Sequence, residues 1–241
     1  MNTEEKKSGK AYERVIDYVK EELAVGHVKI GERLPPEREL AEQLNLSRTS
    51  VREALRTLEN IGIITSTQGA GNTISCNFEK SFGAALSMLF MLRQIDASQI
   101  NELRYALEET AIILAVERMD AEKIAALEQI LEKMENETEE AERSAYDKKL
   151  HDTIAAASEN HLIIAILDVL SGVVEKFIAK LRQGIFQGIQ GEQELQMAHR
   201  MMVDSLRLRD KRAARLAVEK HFRLIEQQLA AEKDMIKNSQ S

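Results

Sequence analysis

The sequence predicts a mainly α protein in two parts: an N-terminal winged helix-turn-helix and a C-terminal antiparallel all-α helical bundle. Three observations predict it. Two short helical patterns joined by a tight turn follow Pro35-Pro36, and a Gly-rich hairpin pattern follows them. Those are the chain's only prolines, so no later residue carries the ring that breaks a helix. Beyond residue 79 the apolar residues keep helical spacing, interrupted at Asp96, Asp120, Asn160 and Asp210, residue types that cap helices. The resulting division is a winged domain at 1–76, a linker and first bundle helix at 77–96, and a helical domain at 97–241.

Residues 9–25 read as an amphipathic helix with Tyr12, Val15, Ile16, Val19 and Leu23 inward, ended by Gly26. His27 falls in an exposed connection and takes no role. A helix starts after Pro35-Pro36, since proline's missing backbone N–H costs nothing at a first helical position, and Leu40, Ala41 and Leu44 form its apolar face. Asn45-Leu46 makes the turn and Ser47 caps the next helix. There Val51, Ala54, Leu55 and Leu58 point inward, while Arg48, Arg52 and Arg56, four apart, line an outward face. Ile63–Thr67 and Asn72–Cys76 read as strands around Gly69-Ala70-Gly71. The remaining helices are expected at 79–94, 97–118, 120–135, 138–158, 161–188, 191–208 and 210–236. The helix after Asn160 is apolar nearly all round, from Leu162 through Val169, Leu170, Val173, Val174, Phe177 and Ile178 to Leu181, which predicts a central buried position. Gly184, Gly188 and Gly191 predict a flexible connection after it, and the polar tail past Ile236 predicts disorder.

A helix with small hydroxyls and two arginines in its first turns suits a DNA major groove, where guanidinium forks pair with guanine and hydroxyls reach phosphates. A solvated surface helix beside Glu53 and Glu59 has the same composition, so spacing alone leaves both readings open. LPPERELA, LSRTSVREALRTLE and the wing QGAGNTI together resemble the N-terminal domain of GntR-family bacterial transcription regulators, over roughly residues 10–76. The resemblance implies that Arg38 contacts the DNA backbone and that Arg48 and Arg52 read the groove. It also implies that Ser47, Thr49 and Ser50 hold phosphates, and that Gly69 lets the wing tip approach the minor groove. Gln68, before that glycine, stands at a tip position whose identity varies in the family.

Composition bounds the remaining readings. Residues 1–76 hold 11 Lys/Arg against 12 Asp/Glu, and the rest 22 against 28. With no strongly basic domain, nonspecific phosphate attraction is expected to be weak and DNA affinity to come from a locally positive face, doubled by a second subunit. A lone Cys76 excludes an intrachain disulfide. The N-terminus MNTEEKKSGK has no apolar signal segment, and the uncharged run Phe82–Leu92 is too short to span a bilayer, so the expected location is cytoplasmic with no membrane partner.

Histidines supply a second pattern. Asp147 and His151 are four apart and project from one helix face. His199 and His221 each lie 11 residues from Asp210, one before and one after. Across an antiparallel hairpin turning there, both stand about 16 Å from the turn, level with each other. Three imidazoles and one carboxylate converging in a bundle suit Zn²⁺, and Ni²⁺ or Mn²⁺ with expanded coordination. Histidines hydrogen-bonded inside a bundle would leave the same spacing. YDKKLHDTIAAASEN, AHRMMVDSL and AVEKHFRLIEQQL resemble the C-terminal FCD-type domain of the FadR subfamily, in its metal-containing branch, over roughly residues 79–236. The resemblance implies metal ligands at Asp147, His151, His199 and His221. It also implies an effector-binding arginine at Arg104, in NELRYALEE, with Asn160 a weaker effector contact. Arg104 beside Glu108 also fits a plain i,i+4 surface pair. His161 falls outside the set and is expected at the surface.

The expected function is a homodimeric DNA-binding regulator, a repressor, that answers to a small organic acid; the resemblance implies that the helical domains dimerise and that the operator is a short palindrome. No nucleophile or general base is evident beside the ligand set, although Glu108 or Glu159 would serve a metal-dependent hydrolase. A chain sensing the ion itself is the other rival. An acyl-CoA sensor is a third, but the subfamily branch that senses acyl-CoA lacks the Asp/His set.

Overall fold

The computed structural model describes residues 3–77, 79–172 and 189–239. Helix α1 (Thr3–Ala24) begins earlier than the sequence suggests, and Gly26 closes it with a positive φ of 75°. Val15 and Val19 enter the core of the first unit, whereas Leu23, expected inward, is exposed. Helix α2 (Glu37–Gln43) starts after Pro35-Pro36 as expected: Pro36 is its N-cap, and its carbonyl accepts the Leu40 N–H. Asn45 takes the left-handed conformation that turns the chain (φ 49°). Helix α3 (Arg48–Asn60) is capped as the sequence predicts, with Ser47 Oγ accepting the Ser50 N–H at 3.1 Å. Val51, Ala54, Leu55 and Leu58 are its buried face.

The wing is a two-stranded antiparallel sheet, β1 (Ile64–Thr67) and β2 (Gly71–Ile74), each about a residue shorter than expected and turning through 68–70. Ile64 pairs with Ile74 and both are buried, so the register anchors the hairpin base on the core. The segment from Gly31 to Leu34 lies along β2, with Gly31 N–H donating to Ile74 O and Leu34 N–H to Asn72 O. Glu59 accepts the Ser66 N–H and ties α3 to β1.

By compactness the chain divides into Met1–Ala85 and Leu86–Ser241, a point inside α4 (Glu79–Arg93). The second unit is a helical bundle: α5 (Ala97–Arg118), α6 (Ala121–Asn136), α7 (Glu140–Ala157), α8 (161–172), α9 (Ile189–Arg207) and α10 (Lys211–Ser239). The predicted breaks are caps. Asp96 and Gln99 form a capping box on α5, Asp120 accepts the Lys123 N–H, and Asp210 accepts the Arg212 and Ala213 N–H groups. Helix α10 packs on α9 and α5, and α7 packs on α5 and α6. Ile112, Leu127, Leu150, Met202, Leu206 and Phe222 are central to the core between them.

Three expectations need correction. Gly191 lies within α9 instead of fraying a connection, since flanking turns of helix carry an isolated glycine at modest cost. Helix α10 runs on to Ser239, past the expected end at 236. Helix α8 is not buried all round: Ile163, Leu167, Val169 and Leu170 are buried but Leu162 is 69% exposed, because its first turn presents only one side to α5 and α7 residues. Val173 to Leu181, and Gly184 and Gly188, lie outside the described residues. Among the described residues no helix is long and apolar enough to cross a membrane.

Candidate functional site

Two sets of polar side chains stand out, one exposed and one buried. The exposed set is the outer face of α3 with its neighbours. Arg48, Thr49 and Arg52 are exposed in the first turns of α3. Arg52 donates Nε and Nη2 to Glu37 Oε2 of α2 at 3.1 and 3.0 Å, a contact that raises the guanidinium's affinity for its proton. Arg38 donates Nε to Glu42 one turn on, and Arg56 lies 3.5 Å from Glu53. Ser47 and Ser50 are less available than Thr49: their hydroxyls are 2.8 Å apart and Ser47 Oγ is already the helix cap. Gly69 at the wing tip is exposed, has φ 78°, and has no heavy atom within 4 Å of where a Cβ would stand. That backbone conformation is one glycine adopts without strain, and the missing side chain leaves the tip able to approach another surface closely.

The buried set lies in the second unit. Helix α7 carries Asp147 and His151 on one face, α9 carries His199, and α10 carries His221. The three imidazole centroids form a triangle with sides of 4.7, 4.8 and 5.4 Å, His199 and His221 being the closest pair, as their level placement across the Asp210 hairpin predicts. Asp147 Oδ1 is 3.1 Å from His199 Nε2 and 3.8 Å from His151 Nε2. One donor atom from each of the four residues lies within 4.8 Å of the others.

Do these residues fit a cation? His151 Nε2, both nitrogens of His199 and His221 Nδ1 are buried without a hydrogen-bond partner, although His199 Nε2 is near Asp147 in distance. Buried polar atoms are rarely left so, because each forfeits its hydration for nothing. Around a tetrahedral ion, donor atoms about 2.1 Å from the metal stand about 3.4 Å apart, so the most widely separated of these donors would close by up to about 1.4 Å, within reach of side-chain rotation. Three imidazoles and a carboxylate are a donor set zinc accepts. The set fits.

Electrostatics separates His221 from His151. Burial, and then the neighbouring His199 and His151, push His221 well below the ordinary histidine range. Burial pulls His151 down as well, but the Glu108 carboxylate, its hydrogen bond and Asp147 outweigh burial and raise it. Glu108 Oε2 stands 2.5 Å from His151 Nδ1, and Glu108 Oε1 accepts Arg104 Nη2 at 2.8 Å and Nε at 3.1 Å. Burial alone would raise the Glu108 carboxyl, yet the charges of His151 and Arg104 hold it well below the usual carboxylate range. Sequence reasoning noticed Glu108 only as a partner of Arg104 or as a general base. Its link to His151 crosses 43 residues and leaves no local signature.

Arg104 is therefore engaged, and it also lies 5.5 Å over the Phe222 ring. Asn160 is spent in part: its Oδ1 accepts the Leu162 and Ile163 N–H groups and caps α8. His161 is exposed, as expected. A void of about 10 Å³ lies against Glu108 and His151, closed otherwise mainly by apolar side chains such as Ile112, Ile154 and Met202.

Comparison with known proteins follows the same division. Residues 11–74 match the family model for bacterial regulatory proteins of the gntR family, and residues 99–224 match the FCD domain. The chain is 26% identical over 213 residues to the uncharacterized HTH-type transcriptional regulator YcbG of Bacillus subtilis, covering 88% of this chain and 87% of that one. It is 25% identical over 223 residues to the Glc operon transcriptional activator of Escherichia coli, covering 90% and 88%. It is 26% identical over 217 residues to the putative L-lactate dehydrogenase operon regulatory protein of Escherichia coli, covering 88% and 84%. A GntR structure from Streptococcus agalactiae superposes with a TM-score of 0.68 at 24% identity, over 90% of this chain and 99% of that one, which supports the fold.

Proposed function

This chain belongs to the GntR family of bacterial regulatory proteins and carries an FCD domain, so it is a DNA-binding transcription regulator, and we propose that an ion and an organic acid control it. Asp147, His151, His199 and His221 hold a divalent cation, with zinc the best match to three nitrogens and one oxygen. A homodimer places two copies of α3 on the half-sites of a short palindrome, with Arg48 and Arg52 toward base edges, Arg38, Ser47, Thr49 and Ser50 toward phosphates, and Gly69 at the minor groove. A small carboxylate joins the cation and releases the operator, so the regulator acts as a repressor. Arg104 keeps its Nη1 side for that carboxylate while Nε and Nη2 hold Glu108, and Asn160 retains its Nδ2.

One observation carries the reading: four buried ring nitrogens without hydrogen-bond partners gather around a carboxylate. Among the described residues, the void against Glu108 and His151 is about 10 Å³, room for one water. An acid that binds two packings of the bundle unequally shifts the balance between them. A void of that size favours a second reading, in which the cation alone is the signal. Thermal shifts with a panel of organic acids on zinc-loaded protein, repeated on Asp147→Ala, test the first. L-lactate belongs among the first acids because a relative is named for an L-lactate dehydrogenase operon. A real effector raises the melting temperature by mass action and fails on the variant. Operator affinity that changes with zinc and with no acid supports the second reading instead.

A further inference from the structure

We propose that Glu108, gripped by Arg104, is the positioning residue that sets His151 for cation binding, so that the centre is a relay from guanidinium to carboxylate to imidazole. The proposal rests on the reading that Asp147, His151, His199 and His221 hold a cation. It assigns Glu108 a function and gives Arg104 one that needs no effector.

The geometry divides the carboxylate cleanly. One oxygen, Oε1, takes both Arg104 Nε and Nη2, and the other, Oε2, faces His151 Nδ1 at 2.5 Å. Both carboxylate partners are themselves largely withdrawn from solvent, with side-chain exposures of 15% for Arg104 and 8% for His151. Apart from Asn101, whose amide donates to Phe222 O and Glu226, helix α5 otherwise turns Ile100, Ala111, Ile112, Ala115 and Val116 inward. An apolar side chain would pack at position 108 without the cost of burying a charge, so packing does not account for a carboxylate there. A carboxylate in contact with Nδ1 accepts the ring proton at that atom, which leaves Nε2 as the lone-pair nitrogen. Nε2 is the His151 atom without a hydrogen-bond partner, and it faces Asp147 Oδ1. His199 differs: neither of its nitrogens is hydrogen-bonded, and its charged neighbour, Asp147 at 3.1 Å, belongs to the ligand set itself, whereas His151 meets on Nδ1 a carboxylate from outside that set. A ligating histidine held by a carboxylate on its far nitrogen keeps its tautomer and orientation and gains basicity.

Arg104 contributes at one remove. Its two N–H donors both hold Oε1, which helps fix where Oε2 stands against His151. An acid that also reaches Arg104 pulls on the same carboxylate that orients His151, which links acid and ion through two hydrogen-bonded contacts.

The test is zinc affinity by competition with a chromophoric chelator on full-length wild type, Glu108→Gln and Arg104→Lys, together with ¹⁵N NMR of the histidine rings in the zinc-free proteins. The expected result for Glu108→Gln is a roughly 10- to 100-fold loss of affinity. The His151 ring should also lose its fixed Nδ1–H signature, which a purely structural role would not alter. Arg104→Lys keeps the charge but not the fork, and is expected to lose less. If Glu108→Gln does not fold, Glu108→Asp decides, because the shorter carboxylate withdraws from Nδ1 while retaining its charge, and affinity should again fall. A folded Glu108 variant with wild-type affinity and an unchanged ring signature overturns the proposal while the cation reading stands. Wild-type protein that takes up no zinc overturns the cation reading itself.

Discussion

The outer face of α3 and the histidine centre treat charge in opposite ways. On α3, Arg52 pairs with Glu37, Arg56 with Glu53, and nearby Arg38 with Glu42, and all three arginines keep more than half of their side chains in water. Such pairs contribute little to stability and exchange readily for a stronger anion. In the bundle, three imidazoles and a carboxylate stand where water is excluded, and four nitrogens lack hydrogen-bond partners. A surface pair leaves a side chain able to change partners, whereas burial holds the cluster in one arrangement. On the reading proposed above, recognition by the first face is assembled on contact with DNA, and the second site is built by the fold before its ligand arrives.

The contrast is broken most easily at the centre. Zinc at a thousandfold excess over Kd should stabilise the second unit by about 4 kcal/mol, and chelation should remove that gain. His199→Ala should abolish the response without affecting the intrinsic DNA affinity of the winged unit. Calorimetry that shows no zinc dependence in wild type would erase the distinction between the two regions. Next in size is the groove face. Arg48→Ala and Arg52→Ala should each weaken operator binding roughly 10- to 100-fold, as expected for a bidentate base contact, and Arg56→Ala much less. Equal losses at all three in a gel-shift titration would mean the face acts only as a patch of charge.

Smaller effects sharpen the comparison. Asp96, the N-cap of α5, is held below its ordinary carboxyl range first by the bond from Lys233 and then by the Gln99 N–H. Because its folded value is depressed, its contribution is present above the ordinary value of 3.8 and is lost as pH falls through the folded value. Asp96→Ala should cost about 1 kcal/mol at neutral pH and flatten the acid limb of the unfolding curve; an unaltered acid limb would show that the cap does not carry this dependence. The smallest change is expected from Glu37→Gln. Freeing Arg52 and removing one negative charge should raise binding to random DNA severalfold and steepen its salt dependence by about one phosphate contact. If random-sequence binding is unaltered, the Arg52–Glu37 pair does not restrain the arginine.

Much of this was legible from residue order. Ser47, Asp96, Asp120, Asn160 and Asp210 cap helices where their side chains could be read as caps, because a cap is settled by atoms within three residues. The level placement of His199 and His221 was equally readable, since a hairpin's turn and a constant rise per residue determine it. Less readable were the exposure of Leu23 and Leu162, the continuation of α10 to Ser239, and the place of Gly191 inside α9. Apolar character says that a residue gains from burial, not that a neighbouring helix is there to bury it.

By itself the sequence determined the capped starts of α3, α5, α6, α8 and α10, most of each apolar face, the wing, the arginines of α3 and the identity of the four residues gathered in the bundle. Those features depend on propensity, capping and periodicity, which act over a turn or two of chain. Only the tertiary structure decided that Glu108 turns to His151 across 43 residues with Arg104 behind it, and that a water-sized void lies against the pair. Such contacts follow from how the helices pack and which rotamers that packing admits, and no short stretch of residues encodes either.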